Sequence, residues 1–483
     1  MTTHGIDERK RWLALIVLCL GMLMIVLDTT IVNVALPSIR ADLRFAETSL
    51  VWVVNAYLLT FGGFLLLGGR LGDLYGHRRL FLRGIALFTL ASVACGLANT
   101  QGLLIAARAV QGLGGALVSA VSLSIIMNLF TSPADRAKAM GVYGFVAASG
   151  GSLGVLLGGV LTSALSWHWI FLVNLPIGVA VYAACTALLP ARTPPAERAP
   201  LDLAGAATVT GSLMLAVYAI VHGHAAGWTS AQTLVQLGAA IALAIAFVVV
   251  ESRVAHPLMP LGLFARRNVA AANAVGVLWA AAMFAWSFIS ALYLQRVLHY
   301  GAMQVGLAFL PASVVMAGFS LGVSPKLVMR FGIRATLSSG LLVASSGLML
   351  LARAPDGGRF VADVLPGMLL MGLGASAVFN PVMLAAMSDV TPDESGLASG
   401  AVNTSFMMGG ALGLAILASL AAARTEGLVA AGADAVGALN RGYHLAFLLG
   451  AGSAVAASAL AWAFIRARMP APAHGDAQSA ASI

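Results

Sequence analysis

The sequence predicts an all-helical membrane protein with fourteen transmembrane helices. Three observations lead to this fold class: the composition, the number of long apolar segments, and the distribution of basic residues. Of the 483 residues, 60% are hydrophobic and only 9% are charged, and the mean hydropathy is +0.93. A soluble domain carries about a quarter charged residues. A chain of this composition therefore requires lipid as its solvent, and the bilayer is its first expected partner.

The apolar segments set the number of spans. A helix needs about 20 apolar residues to cross a bilayer, and no segment shows the alternation expected of a membrane barrel. The first span is too long for the apolar core of a cleavable signal peptide. In chain order, the predicted spans are residues 12–36, 50–69, 80–98, 103–129, 138–163, 168–189, 202–222, 234–251, 269–294, 304–324, 335–352, 361–387, 398–421 and 443–465.

The basic residues support an even number of spans. Nineteen Lys and Arg residues fall in segments on the side of the N-terminus, and seven fall on the opposite side. By the positive-inside rule, both termini are expected in the cytoplasm. Because the basic residues flank the spans, the net charge of +9 does not indicate a nucleic-acid partner. The three cysteines all lie in spans, so no disulfide framework is expected.

Two loop segments indicate an internal repeat. Residues 69–79 follow span 2, and residues 324–334 follow span 10 with a similar pattern of basic residues and glycine. This spacing predicts two six-helix halves with an inserted helix pair between them. The expected parts are a cytoplasmic N-terminus 1–11, an N-terminal half 12–189, a linker and inserted pair 190–268, a C-terminal half 269–465, and a disordered cytoplasmic tail 466–483.

Two charged residues stand inside spans. Asp28 is the only acidic residue well within one, and Arg108 is the only basic residue. A charge at the bilayer centre costs about 2.5–3.5 kcal/mol on insertion scales, which makes such a residue a functional candidate. Asp28 is a candidate proton or substrate site, and the alternative is a structural Asp held by hydroxyls or by Arg108. Arg108 cannot release its proton, so it either tunes a nearby acid or fixes its own helix.

The glycines of span 5 predict close helix packing. Gly150, Gly154 and Gly158 recur every fourth residue, with Gly141 and Gly159 flanking them. This spacing places three glycines on one helix face, where a second helix can approach closely.

Several of these segments together resemble the fourteen-spanner drug:proton antiporters of the major facilitator superfamily. The similar segments are residues 27–37, 52–59, 69–79, 166–178 and 201–205, and the resemblance extends over about residues 12–465. It implies a major facilitator fold and proton-coupled export of amphipathic drugs or toxic small molecules across a bacterial cytoplasmic membrane. It further implies that a proton gradient supplies the energy and that no cofactor is needed. The protein is expected to be a monomer that can associate with accessory export proteins.

The resemblance also assigns roles to particular residues. Asp28 and Arg108 would couple the proton, and the span 5 glycines match the antiporter motif, although Val155 stands where that motif has proline. Leu74 and His77 replace more usual basic residues of the loop motif. The expected conformational latch on the cytoplasmic side consists of Gly69, Asp73, Gly76, Arg78, Arg79, Lys326, Arg330 and Arg334.

Polar, aromatic and methionine residues in the spans are candidates for the substrate cavity. An amide in a span usually faces the protein interior, and methionine adapts to varied ligands. The candidates are Asn33, Asn55, Tyr57, Gln111, Trp286, Tyr293, Gln295, Asn380, Asn403, Phe406 and Met407. The sequence holds no zinc-protease, phosphate-loop or nucleophile-elbow motif, so no enzyme and no metal site is expected. An exporter of one natural product, siderophore or metabolite, a proton-coupled importer and a membrane sensor are the alternatives.

Overall fold

The predicted fold class is confirmed by the structure, a computed structural model in which nearly every described residue is helical. The structure describes residues 8–130, 132–189, 202–254, 257, 261–388, 390 and 395–466, and these contain no β-strand. The predicted linker 190–200 lies outside the described residues, as does the tail beyond Arg466.

Besides a few segments of four or five residues, fourteen helical units follow one another in the described part of the chain. Thirteen segments are long and apolar enough to cross a membrane, and within α5 the apolar segment identified is the shorter Leu153–Ala164. The units are α1 (Glu8–Leu43), α2 (Trp52–Tyr75), α3 (His77–Gly96), α4 (Gln101–Leu129), α5 (Pro133–Ala164), α6 (Asn174–Leu188), α7 (Leu203–Ala226), α8 (Ala231–Arg253), α9 (Arg267–Arg296), α10 (Ala302–Gly322), α11 (Ser324–Leu351), α12a (Leu365–Ser376), α12b (Phe379–Met387), α13 (Ser395–Ala430) and α14 (Ala435–Phe464).

The second loop motif is mostly helical, contrary to the sequence prediction of a loop at residues 324–334. Helix α11 begins at Ser324 with a proline in its first turn, a position where the missing proline N–H costs nothing. The helix is interrupted only at Gly332, whose φ is 82°. Gly76, between α2 and α3, has a φ of 91°. Both turns therefore use a backbone conformation that suits glycine.

Span 12 is broken between Ser376 and Phe379, whereas the sequence predicted one helix over 361–387. The Ala377 N–H donates to Gly374 O at 3.1 Å and the Val378 N–H donates to Ala375 O at 3.2 Å. Both bonds connect residues three apart and not four, so they tighten the last turn and end α12a. Pro381 provides the physical reason: it has no N–H to donate to Ala377 O, and its ring would clash with that carbonyl in a continuous helix.

Both ends of the described chain lie at one face of the helix assembly, here called the terminal face. The Trp12 ring, in the first turns of α1, is 5.0 Å from the ring of Phe130, just beyond α4. Arg267, the first residue of α9, donates to Phe464 O at the end of α14 at 2.9 Å. The opposite end of the helices is called the far face.

Candidate functional site

Asp28 and Arg108 form an ion pair in the interior of the N-terminal half. Both side chains are fully buried, and Arg108 Nη1 contacts Asp28 Oδ2. The same Nη1 donates to Gln111 Oε1 at 2.8 Å, and Arg108 Nε donates to Val53 O of α2 at 2.9 Å. The two charges predicted at membrane depth are therefore partners.

Two amide side chains complete the surroundings of the Asp28 carboxylate. Gln111 Nε2 donates to Asp28 Oδ1 at 2.7 Å, and Asn174 Nδ2 donates to the same oxygen at 3.3 Å. Ser92 Oγ accepts from both amides, at 3.1 and 2.9 Å, and donates to Phe171 O at 2.8 Å. Both carboxylate oxygens of Asp28 therefore have hydrogen-bond donors, Arg108 at one and the two amides at the other.

This buried polar cluster contains residues that the sequence did not single out. Asn174 lies in the segment 166–178 that resembles the antiporters, so its position could have suggested a role. Ser92 carried no such signal, because serine in a span also serves ordinary helix packing. Gln111 was expected in the substrate cavity, and the structure places it beside Asp28.

Tyr57 covers the other side of Arg108. Its ring centroid is 4.4 Å from Arg108 Cζ, which is a favourable distance for a cation–π contact. Its hydroxyl is buried and has no hydrogen-bond partner among the described residues. Gly112 permits this approach of α2 to α4, because a Cβ at that position would lie 2.4 Å from Tyr57 O.

The cluster connects the Asp28 carboxyl group to residues on five helices. Asp28 is on α1, Val53 and Tyr57 on α2, Ser92 on α3, Arg108 on α4 and Asn174 on α6. Removing one member of a buried ion pair typically costs about 3–5 kcal/mol, because the other charge is left uncompensated. Protonation of Asp28 would cancel its charge and release Arg108, so it can change how these helices pack.

The glycines of α5 pack against the helix that carries Asp28. A Cβ at Gly154 would lie 2.8 Å from Leu27 O, and one at Gly158 would lie 2.6 Å from Ile31 O. At Gly150 it would lie 2.9 Å from a methyl group of Val26. The adjacent Gly159 faces α10 instead, where a Cβ would lie 2.8 Å from Ala302 O. Gly141 lies in α5, but its surroundings are outside the description.

A small pocket lies in the C-terminal half between α9, α12b and α13. Its cavity volume is about 10 Å³, roughly the room that one water molecule needs. Two predicted cavity residues, Asn403 and Phe406, line it. The remaining lining residues are Gly276, Trp279, Phe379, Val382, Met383 and Val402.

Three other cavity candidates form hydrogen bonds between the two halves. Asn33 Nδ2 of α1 donates to Ser287 Oγ of α9 at 2.9 Å. Gln295 Nε2 of α9 donates to Val34 O at 2.8 Å, and Asn55 Nδ2 of α2 donates to Ala411 O of α13 at 2.9 Å. Their amides face the protein interior, as expected, but they bind the opposite half of the chain.

The remaining candidates have separate environments. The Tyr293 hydroxyl donates to Pro355 O at 2.8 Å. The Trp286 ring lies 5.6 Å from that of Phe309, and its indole N–H has no hydrogen-bond partner in the described part of the chain. Asn380 Nδ2 contacts Ser320 Oγ at 3.4 Å. Met407 packs against α2, where a Cβ at Gly62 would lie 3.0 Å from Met407 Cβ.

The loop-motif residues lie at the terminal face. Arg78 Nη2 donates to Thr186 O near the end of α6 at 2.8 Å, and the Arg334 guanidinium lies 4.2 Å from the Trp462 ring of α14. Both contacts join the third and sixth helices of one half, so the two motifs have equivalent positions. Gly69 has open space around it. The side chains of Arg79, Lys326 and Arg330 are exposed, and the side chain of Asp73 is outside the description.

A helical membrane protein with two repeated halves and a buried ion pair has the architecture of a secondary transporter. A profile of the Major Facilitator Superfamily matches residues 18–414, and the chain therefore belongs to that superfamily. It is a multi-pass membrane transporter of small molecules, not an enzyme.

Bacterial relatives match most of the chain. The puromycin resistance protein pur8 of Streptomyces alboniger is 37% identical over 99% of this chain and 95% of its own length. The cephamycin export protein CmcT of Amycolatopsis lactamdurans is 39% identical over 86% of both chains. The multidrug resistance protein Stp of Mycobacterium tuberculosis (strain CDC 1551 / Oshkosh) is 37% identical over 86% of this chain and 77% of its own length.

A solved structure shows the same fold. The human organic anion transporter MFSD10 (TETRAN) superimposes with a TM-score of 0.61, over 93% of this chain and 99% of that chain. At 17% sequence identity, this likeness concerns the fold alone.

Proposed function

We propose that this transporter exports amphipathic small molecules, antibiotics among them, from the bacterial cytoplasm in exchange for protons. The names of the bacterial relatives support the substrate class, since they are resistance and export proteins. The single observation that carries the proton coupling is the fully buried Asp28, whose carboxylate is paired with Arg108 in the interior of the N-terminal half.

The ion pair suggests how a proton could drive the cycle. In the described arrangement, Arg108 balances the charge of Asp28, and two amide side chains donate hydrogen bonds to its carboxylate. A proton that binds Asp28 from outside removes one charge and weakens the attachment of α1 to α4. The two halves then rock into the arrangement that releases substrate, and loss of the proton to the cytoplasm restores the ion pair.

We also propose where the protein is located and how many chains are needed for transport. The excess of basic residues on the terminal face supports a cytoplasmic location for both termini, and the bacterial relatives support the cytoplasmic membrane. The proton gradient supplies the energy, and no cofactor takes part. A single chain suffices for transport, with accessory export proteins as optional partners.

The test is proton release from inverted membrane vesicles with an acidic interior. A panel of cationic, neutral and anionic amphiphiles is added to vesicles that contain the wild-type protein, Asp28→Asn or Asp434→Asn. Asp434 caps the start of α14, where its carboxylate accepts from the Gly437 N–H at 2.9 Å, so it controls for the loss of an acid elsewhere. We expect at least one compound to release protons in wild type and Asp434→Asn but not in Asp28→Asn. Full proton-coupled transport by Asp28→Asn would refute the proposal.

A dedicated exporter of one natural product is the second candidate. It is favoured by relatives that are each named for a single compound, puromycin or cephamycin. A panel in which one structural class alone drives proton release would support this narrower function.

A further inference from the structure

Arg334 is a partly buried cation at the terminal face whose hydrogen-bond donors are not used by the described residues. Its guanidinium lies 4.2 Å from the centroid of the Trp462 ring. Its Nε is buried, and no described oxygen accepts a hydrogen bond from this side chain. The equivalent Arg78 of the N-terminal half differs, because its Nη2 donates to Thr186 O at 2.8 Å. A guanidinium presents its donors in a planar fork that matches the oxygens of a phosphate group, so Arg334 is suited to a phosphate from outside the chain.

The positive charge around Arg334 is not balanced by acidic residues of the same motif. Residues 324–334 contain three basic residues and no acidic residue, whereas the first loop motif contains Asp73. Lys326 and Arg330 are exposed, and neither they nor Arg334 form an ion pair with a described residue. Basic groups at the ends of transmembrane helices attract anionic lipid headgroups. The charge of this surface is therefore complementary to a negatively charged headgroup.

Arg334 and Trp462 lie where their helices are expected to leave the membrane. Arg334 directly precedes the predicted span 335–352, and Trp462 is close to the end of the predicted span 443–465. The Trp462 side chain is 55% exposed, and tryptophan is enriched at the level of lipid headgroups. About one turn deeper, the Ser458 hydroxyl donates to Ser338 O at 2.9 Å and joins α11 to α14. The cation thus lies at headgroup level above a closed seam between the two helices.

Exposed apolar side chains continue along both helices below this pair. Leu342 lies about two turns from Arg334 on α11, and Val455 lies about two turns from Trp462 on α14. Both side chains are exposed, and helical residues seven or eight positions apart share one face. The seam therefore combines a cation at the headgroup with an apolar strip at acyl depth. A soluble anion or an acidic peptide could use the cation but not the strip.

We propose that the seam between α11 and α14 at the terminal face binds an anionic phospholipid, whose phosphate accepts hydrogen bonds from Arg334. Trp462 orients the guanidinium through their cation–π contact, and its exposed ring packs beside the headgroup. The other basic residues of the motif add positive charge, and the acyl chains lie along Leu342 and Val455. This lipid site is separate from the buried ion pair of the N-terminal half, and it does not depend on which substrate is transported.

The test measures which lipid lies beside the seam in the purified full-length protein. Leu342→Cys is labelled with bimane, and the signal of protein without an introduced cysteine is subtracted, although all three native cysteines are buried. The protein is reconstituted into phosphatidylcholine vesicles in which either phosphatidylglycerol or a matched fraction of phosphatidylcholine carries brominated acyl chains that quench the label. Ile245→Cys is the control label. Ile245 is also exposed, and it lies about two turns from the exposed Arg253 at the end of α8.

We expect phosphatidylglycerol to associate at least threefold more tightly than phosphatidylcholine beside Leu342, and less than twofold more tightly beside Ile245. Arg334→Gln should abolish the preference beside Leu342, because one basic residue near an anionic lipid surface contributes about fivefold in affinity. Arg253→Gln removes the same charge elsewhere on the terminal face and should leave that preference unchanged. Thermal unfolding verifies that the variants are folded. Trp462→Leu should also reduce the preference, and it decides the question if Arg334→Gln does not fold.

Two lipid results would overturn the inference. One is equal association of the two lipids beside Leu342, and the other is a preference that persists in folded Arg334→Gln or, in its place, in Trp462→Leu. Millimolar inorganic phosphate, compared with chloride at the same ionic strength, tests for a soluble occupant. A preference that survives added phosphate supports a lipid site, whereas its loss would identify a soluble anion as the occupant and overturn the inference.

Discussion

At the scale of single residues, the charged pair could be predicted better than the polar residues around it. Asp28 and Arg108 are conspicuous because a charge in a span is costly. Arg108 was one of the expected partners of Asp28, and the structure confirms the contact. Ser92 and Asn174 have no comparable signal, because a small or amide side chain in a span is compatible with many roles. Their function depends on which helices become neighbours.

Gln111 provides a residue-scale prediction for the cluster. Gln111→Leu removes a donor to Asp28 at 2.7 Å and an acceptor for Arg108 at 2.8 Å. An unsatisfied buried polar group costs about 1–3 kcal/mol, so we expect at least a tenfold loss of proton-coupled transport and a lower unfolding temperature. Vesicle flux and thermal unfolding measure both effects. Gln232→Leu, at an exposed position of α8, should change neither, and wild-type behaviour of Gln111→Leu would contradict the prediction.

At the scale of elements, the sequence predicts where the helices lie better than it predicts where they are broken. The apolar length of each span was sufficient to locate the helices, because the bilayer requires it. Pro381 was visible in the sequence and explains the break in span 12. The continuous helix from Ser324 to Phe331 was not anticipated, because basic residues suggested a loop, whereas the chain turns only at Gly332.

The glycine face of α5 gives an element-scale prediction with a matched control on the same helix. In Gly158→Ala, the new Cβ would lie 2.6 Å from Ile31 O, a backbone atom that cannot move alone. In Gly151→Ala, the nearest atom is a Thr30 methyl group at 3.7 Å, an ordinary contact. Overpacking typically costs about 1–3 kcal/mol. We expect Gly158→Ala to lower the unfolding temperature and reduce transport at least fivefold, and Gly151→Ala to resemble wild type. Equal behaviour of the two variants would show that close packing of α5 on α1 is not required.

At the scale of the whole molecule, the two-half architecture followed from the repeated loop motif, but the contacts between the halves did not. The amides of Asn33, Asn55 and Gln295 are predicted to face a substrate, and in the described arrangement they form hydrogen bonds between the halves. A sequence identifies a polar residue that faces inward. It does not say whether a ligand or another helix will satisfy that residue, since this depends on how closely the halves approach.

The hydrogen bonds between the halves lie toward the far face, and this placement gives a prediction for transport. Asn33 and Gln295 lie in the far-face parts of α1 and α9, and the Met303 N–H of α10 donates to Ser163 Oγ of α5 at 2.9 Å near the same face. The described arrangement is therefore closed at the far face. If alternating access moves the halves as rigid bodies, they must separate there during each cycle.

Cross-linking tests this requirement directly. The pair Asn33→Cys and Ser287→Cys replaces side chains that are hydrogen-bonded across the halves at 2.9 Å, and a short bis-methanethiosulfonate should join them. We expect the cross-linked protein to lose transport and to recover it on reduction. The control pair is Ser338→Cys and Ser458→Cys, where the Ser458 hydroxyl donates to Ser338 O at 2.9 Å within the C-terminal half. Joining this pair should leave transport intact, because rigid-body rocking does not separate α11 from α14. Undiminished transport by the cross-linked Asn33–Ser287 pair would mean that substrate leaves without opening of the far face.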